Sequence, residues 1–151
     1  MSRRSAITMS DAEVLAFLDE SKTVVCATNG PRGIPHLVPL WYVVRDGELW
    51  AWTFARSQKA LNIERDPRAT LVVEAGTRYE ELHGIMLECD IVVHRDVEVV
   101  AALGTDIYAR YGDGGEEERA MIERQAPKRI ALQFVENRRA TWDHRKLGGT
   151  Y

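Results

Sequence analysis

Thr53-Phe54-Ala55-Arg56-Ser57-Gln58-Lys59 decides how this chain is read, because a strand stops and a helix starts within it. Glu48 to Thr53 reads as a strand, and Ser57 to Asp66 as a short helix stopped by Pro67. Upstream, Asp46-Gly47 is a two-residue hairpin signal, so Pro35 to Val44 is the partner strand. His36, Val38 and Leu40 share one of its faces; Leu37, Pro39 and Trp41 share the other. Pro39 has no N–H to give a ladder, which suits an edge strand or a bulge. Asn29-Gly30-Pro31-Arg32-Gly33 is a turn cluster, and Thr23 to Thr28 before it is a short β-branched strand. Further back, Ser10 and Glu13 form a capping box. The helix it opens carries Val14, Leu15, Phe17 and Leu18 on one face and ends near Ser21.

Downstream, Arg68 to Glu74 is a strand, and Tyr79 to His94 is long and mostly extended. A helix follows Asp96, with Val97, Val100, Ala101, Ile107, Tyr108 and Tyr111 at helical spacing. Gly112 to Gly115 breaks it, and Glu116 to Gln125 is a second, more polar helix. Lys128 to Glu136 alternates as a strand, leaving a tail from Asn137 to Tyr151. The sum is six or so antiparallel strands joined by short turns, with peripheral helices gathered in two places. This predicts an all-β-dominated α+β domain whose sheet closes, or nearly closes, into a barrel and so removes its edges. The 151 residues fit one domain, spanning 1–151.

Composition narrows the function classes. A formal net charge of −3 argues against nucleic acid as a partner, since neutralising phosphates needs a basic excess. No apolar run approaches the ~18 residues of a membrane span. Met1 to Ser10 has no apolar core of a secretory signal. Cys26 and Cys89 sit far apart in apolar strand patterns and read as reduced core residues. The expectation is a cytoplasmic protein with no nucleic-acid or membrane partner. No Cys/His spacing suits zinc, so no metal is expected, and neither a P-loop nor a G-x-G-x-x-G run is present.

The strand-to-helix turn carries the chemistry. Helix N-termini are partly positive, and acidic side chains usually sit there. Here Arg56 and Lys59 flank the start, with no acid until Glu64. A bound phosphate would resolve that arrangement. Arg56 would take oxygens with its planar fork, Lys59 as a point charge and Ser57 through its hydroxyl. The alternative is a solvated basic turn with Ser57 as a plain cap. Pro39-Leu40-Trp41-Tyr42, with Trp50 and Trp52, suits an aromatic cofactor beside that anion or, alternatively, a barrel core. Trp142-Asp143-His144-Arg145-Lys146 is either a pocket-completing segment or a surface tail. Asp143 beside His144 invites an acid–base reading, though strand neighbours point to opposite faces.

The order of these elements resembles the pyridoxamine 5′-phosphate oxidase-like superfamily. The residues that carry the likeness are Pro39-Leu40-Trp41-Tyr42, Arg56-Ser57-Gln58-Lys59 with Asn62, and Arg65-Asp66-Pro67-Arg68. Trp142-Asp143-His144-Arg145-Lys146-Leu147 is similar to the flavin/deazaflavin (F420) oxidoreductase group of actinobacterial type. The resemblance implies an FMN-binding split β-barrel and a homodimer with the cofactor, coenzyme F420 or FMN, in a groove at the interface. It assigns the phosphate to Arg56, Ser57 and Lys59 with help from Asn62, and the ring to Pro39, Leu40 and Trp41. Trp142 and His144 would come from the other subunit, with His144 a candidate proton donor. The chain lacks an Arg-Leu-His-Asp-Arg type C-terminal pattern, which counts against vitamin B6 oxidation. The expected activity is hydride transfer between the bound cofactor and a small organic acceptor. The alternatives are an FMN-dependent oxidase of the pyridoxamine-phosphate type and a non-catalytic binder of flavin, F420 or a tetrapyrrole.

Overall fold

Trp41 and Tyr42 alone separate β2 (Pro35–Leu40) from β3 (Val43–Arg45), yet these two strands occupy opposite edges of one sheet. The computed structural model describes residues 2–149. Its other strands are β1 (Val24–Asn29), β4 (Glu48–Phe54), β5 (Arg68–Ala75), β6 (His83–His94) and β7 (Arg129–Asp143). All pairings are antiparallel, in the order β2-β1-β5-β6-β7-β4-β3. In a flat sheet the outer strands would lie roughly 29 Å apart at ~4.8 Å per strand. The link from Leu40 to Val43 reaches at most about 11 Å. The sheet therefore curls until its edges approach, and the result is a split β-barrel.

Local signals hold well. Ser10 and Glu13 complete both halves of the capping box of α2 (Asp11–Glu20). Asp46 and Gly47 both have positive φ, 51° and 78°, as a type I′ hairpin turn requires. Ser57 caps α3 (Gln58–Arg65), and Asp96 caps α4 (Val97–Tyr111). Pro39 does lie on an edge strand, paired only through β1. A short α1 (Arg3–Ala6) and α5 (Glu116–Gln125) complete the helices.

Three expectations are corrected. The strand expected over Pro35 to Val44 is broken at Trp41-Tyr42, because β2 and β3 must join different edges; this raises the strand count to seven. Tyr79–Glu81 is a 3-10 turn rather than extended chain, and the Glu81 carboxylate accepts from the Thr77 and Arg78 backbone N–H groups. The tail expected from Asn137 onward continues β7 as far as Asp143, pairing Trp142 with Gly84 and Asp143 with His83. A 3-10 turn, His144–Leu147, follows. The end of that expected tail, residues 150–151, lies outside the described residues.

Two cores result. Inside the barrel, Val24, Cys26, Leu49, Ala51, Leu71, Ile85, Leu132 and Phe134 pack with Val14, Phe17 and Leu18 of α2. On the outer face, Trp52 and Ala131 lie under Val100, Leu103 and Ile107 of α4 and Ile122 of α5. Gly104 permits that approach: a Cβ there would come within 2.6 Å of the Trp52 ring. Arg110 ties the layers together, donating to the carbonyls of Leu18 (2.8 Å), Asp19 (3.0 Å), Ser21 (2.6 Å) and Tyr42 (2.7 Å). Among the described residues no helix is long and apolar enough to cross a membrane.

Candidate functional site

The junction of β4 and α3 buries a cation. Lys59 is only 6% exposed, and its Nζ donates to Thr53 Oγ1 at 3.1 Å. Thr53 Oγ1 lies 3.2 Å from Ser57 Oγ, which accepts from the Ala60 N–H at 3.2 Å. An ammonium has three donors. The other two of Lys59 have no protein partner among the described residues, and no carboxylate pairs with it. Burial pushes its amine below the ordinary 10.5; proximity to Cys26 opposes this shift and Arg129 reinforces it. The first turn of α3 contains no acid. Lys59 is thus not a solvated surface charge, whereas Arg56 is exposed and makes no ion pair among the described residues.

A second wall comes from the start of β7. The Ala55 N–H donates to Lys128 O at 3.0 Å, pinning the turn to that strand. Arg129 lies over the rings of Phe54 (3.9 Å) and Trp52 (4.4 Å). Phe54, Ala55, Arg56, Ser57, Pro127 and Lys128 line a cleft of about 620 Å³ with no carboxylate in it. A phosphate group, with several acceptor oxygens, fits this donor set.

The remaining predicted residues divide into two groups. Asn62 is fully buried; its Nδ2 donates to Thr28 Oγ1 at 3.0 Å, and its Oδ1 accepts from Gln58 at 2.8 Å. Its amide is spent on holding the turn. His36 and Gln58 line a common cleft, so the start of β2 adjoins the first turn of α3. Pro39, Leu40 and Trp41 lie roughly 10–17 Å further along that strand at ~3.3 Å per residue. Pro39 is exposed, and Leu40 packs on the barrel core. Trp41 is 47% exposed, with one face stacked on Tyr111 at 4.6 Å and 8°. Of the other tryptophans, Trp52 is core and Trp50 stacks on His94.

Trp142 and His144 stand at the far end of β7. Arg129 pairs with Phe54 beside the turn, whereas Trp142 pairs with Gly84, roughly 40 Å of strand away. One chain does not bring them to Arg56. The Asp143 carboxylate is held by Arg145 at 2.8 and 2.9 Å rather than by His144, so no Asp–His dyad forms. Arg145 beside it keeps the Asp143 carboxyl below the usual carboxylate range. His144 Nδ1 lies 2.9 Å from Tyr79 O, and a carbonyl only accepts. That bond leaves Nε2 of a neutral ring as an acceptor, so His144 can deliver a proton from Nε2 only as imidazolium. No cluster of candidate metal ligands occurs among the described residues.

The pyridoxamine 5′-phosphate oxidase family model matches residues 10–142. The chain belongs to that family. A conserved hypothetical protein from Mycobacterium tuberculosis is 39% identical over 100% of this chain and 95% of its own, with a TM-score of 0.90. A protein described as an F420 reductase aligns at 15% identity over 83% of this chain and 94% of its own, TM-score 0.65. HutZ, a heme storage protein from Vibrio cholerae, aligns at 14% over 87% of this chain and 92% of its own, TM-score 0.68. At those two identities the likeness is one of fold. Curated proteins gave no match.

In this member of the pyridoxamine 5′-phosphate oxidase family, sequence reasoning had missed Thr53, Lys128 and Arg129 as parts of the site. Thr53 stands in the stretch that decides the fold, and its strand alternation with Ala51 signals an inward side chain. Lys128-Arg129 is a basic pair directly before a strand, but only the β4–β7 pairing reveals its partner.

Proposed function

We propose that this chain is an oxidoreductase that holds FMN or coenzyme F420 and moves a hydride between it and a small organic acceptor. The observation that carries this reading is the buried, carboxylate-free ammonium of Lys59 at the first turn of α3. Ser57 and Lys59 would hold the cofactor phosphate, with Arg56 closing over it from solvent. Asn62 and Thr28 keep the turn in shape. Pro39, Leu40 and Trp41 would line the ring, with Trp41 braced from behind by Tyr111. When bound, the (deaza)flavin ring supplies the redox chemistry, and the protein supplies position, electrostatics and exclusion of water.

A homodimer completes this arrangement. Trp142 and His144 are too far along β7 to serve their own chain's turn, so a second copy would bring them over the cofactor. His144 would be the proton donor in that setting. Membership of the pyridoxamine 5′-phosphate oxidase family and the F420 reductase fold neighbour support a flavin-type cofactor. Purified protein incubated separately with FMN and with F420, then gel-filtered, tests the proposal. One chromophore should co-elute with a dimer and be reduced or oxidised on adding a hydride partner. If neither co-elutes, the assignment is wrong.

A further inference from the structure

α2 packs on the barrel core through Val14, Phe17 and Leu18, but it leaves a gap. Val14, Leu15 and Leu18 of α2, Leu49 of β4, and Ile85 and Leu87 of β6 surround a cavity of about 130 Å³. Five of them are at most 4% exposed, and Leu15 stands half-exposed at the rim. The mouth is polar, formed by Asp11, Gly47, Glu136 and Arg139. Arg139, opposite Leu87 in the β6–β7 ladder, donates to both Glu136 carboxylate oxygens at 2.6 and 2.7 Å and to Asp11 at 3.1 Å. Protein interiors contain few voids larger than a water molecule, because the lining atoms lose dispersion contacts. Water is a poor occupant of this one: it needs several polar partners, and the aliphatic walls offer no polar side chain.

We propose that this cavity binds a small uncharged apolar molecule, a single hydrocarbon ring, admitted past the Asp11–Arg139 contact. A dry cavity of about 150 Å³ lined by Leu, Ile and Phe takes up benzene, so volume and lining both suit one ring. A fused ring system as large as a flavin's does not fit a space of about 130 Å³. The cavity shares no lining residue with the cleft between Phe54 and Lys128, and so stands apart from the phosphate reading. Charge disfavours an acid. Arg139 already holds two carboxylates, and a third, buried among aliphatic side chains, would have no counterpart. Entry has a place as well. The Asp11 side chain is 95% exposed, so its pairing with Arg139 is screened by solvent and opens at little cost. The doubly bonded Arg139–Glu136 fork can stay closed while it does.

Benzene is the probe, with benzoate as the charged control. A ligand of the folded chain alone raises its melting temperature, so benzene should give a saturable rise of about 2–4 °C and benzoate none. In methyl-labelled protein, benzene should shift the resonances of Leu18, Ile85 and Leu87 and leave those of Val100 and Leu103, in the outer core, in place. Leu49→Phe, which fills the space, should abolish both responses. Leu15→Phe, at the half-exposed rim, should weaken them at least fivefold and decides the matter if Leu49→Phe does not fold. Arg56→Ala/Lys59→Ala should respond to benzene as the wild type does, whatever becomes of its cofactor affinity. No rise with benzene, a rise that never saturates, an equal rise with benzoate, or a full response in the filled or rim variant would overturn the proposal. Methyl shifts confined to the outer core would overturn it too.

Discussion

Lys59 Nζ donates to Thr53 Oγ1 at 3.1 Å from a buried position that no carboxylate balances. Burying a charge without its counterpart costs stability, and proteins retain such groups where function uses them. Lys59→Met should therefore stabilise the cofactor-free protein, by about 1 kcal/mol, while weakening cofactor binding. Thermal melts and cofactor titrations on the same samples check both halves. The sign with pH follows. The folded amine releases its proton below 10.5, before the unfolded chain does. Between those two values the unfolded state holds more protons, so stability rises as pH climbs towards 10.5. Lys59→Met should lack that rise.

Arg110 offers a purely structural contrast. Its guanidinium serves carbonyls at the end of α2 and at Tyr42, the residue that carries the chain between the two sheet edges. Arg110→Ala should destabilise the fold by about 2–3 kcal/mol, since charged hydrogen bonds are lost and carbonyls are left unpaired. Urea unfolding measures this. Cofactor affinity in the folded fraction should barely change.

The thiols should be inert. Burial pushes Cys26 and Cys89 up to about 12, so neither is a thiolate at pH 8. A thiol reagent should label neither cysteine in native protein and both in denaturant. Rapid native labelling would show that the barrel interior opens.

The proposed sharing of the site between two subunits predicts complementation. Arg56→Ala/Lys59→Ala and Trp142→Ala should each weaken binding alone. Unfolded together and refolded as a mixture, random pairing gives heterodimers with one site free of both lesions, so about a quarter of all sites should recover high affinity. Recovery that never exceeds the average of the two parents would place Trp142 outside the partner's site.

What the sequence made legible was local. Ser10 with Glu13, Asp46-Gly47 and Ser57 each act within a few residues, through a cap or a turn that needs no distant partner. The break at Trp41-Tyr42 is not local; it exists because the sheet closes, and closure is decided by strands as distant as β7. The last part of β7 was missed because Asn137, Arg138 and Arg139 are exposed, beside an irregularity at Glu88/Cys89 that disrupts alternation. The site divides the same way. Arg56 and Lys59 were visible as cations set against a helix dipole, and Ser57 as the cap of that helix. Arg129 reaches the turn only through the pairing of β7 with β4.

Whether this turn holds a phosphate is decided by calorimetric titration of wild-type and Arg56→Ala/Lys59→Ala protein with the co-eluting cofactor. Phosphate binding there makes affinity more than tenfold weaker in the double variant, with unfolding still cooperative. Full affinity in that variant would contradict it and leave the turn a structural feature of the barrel.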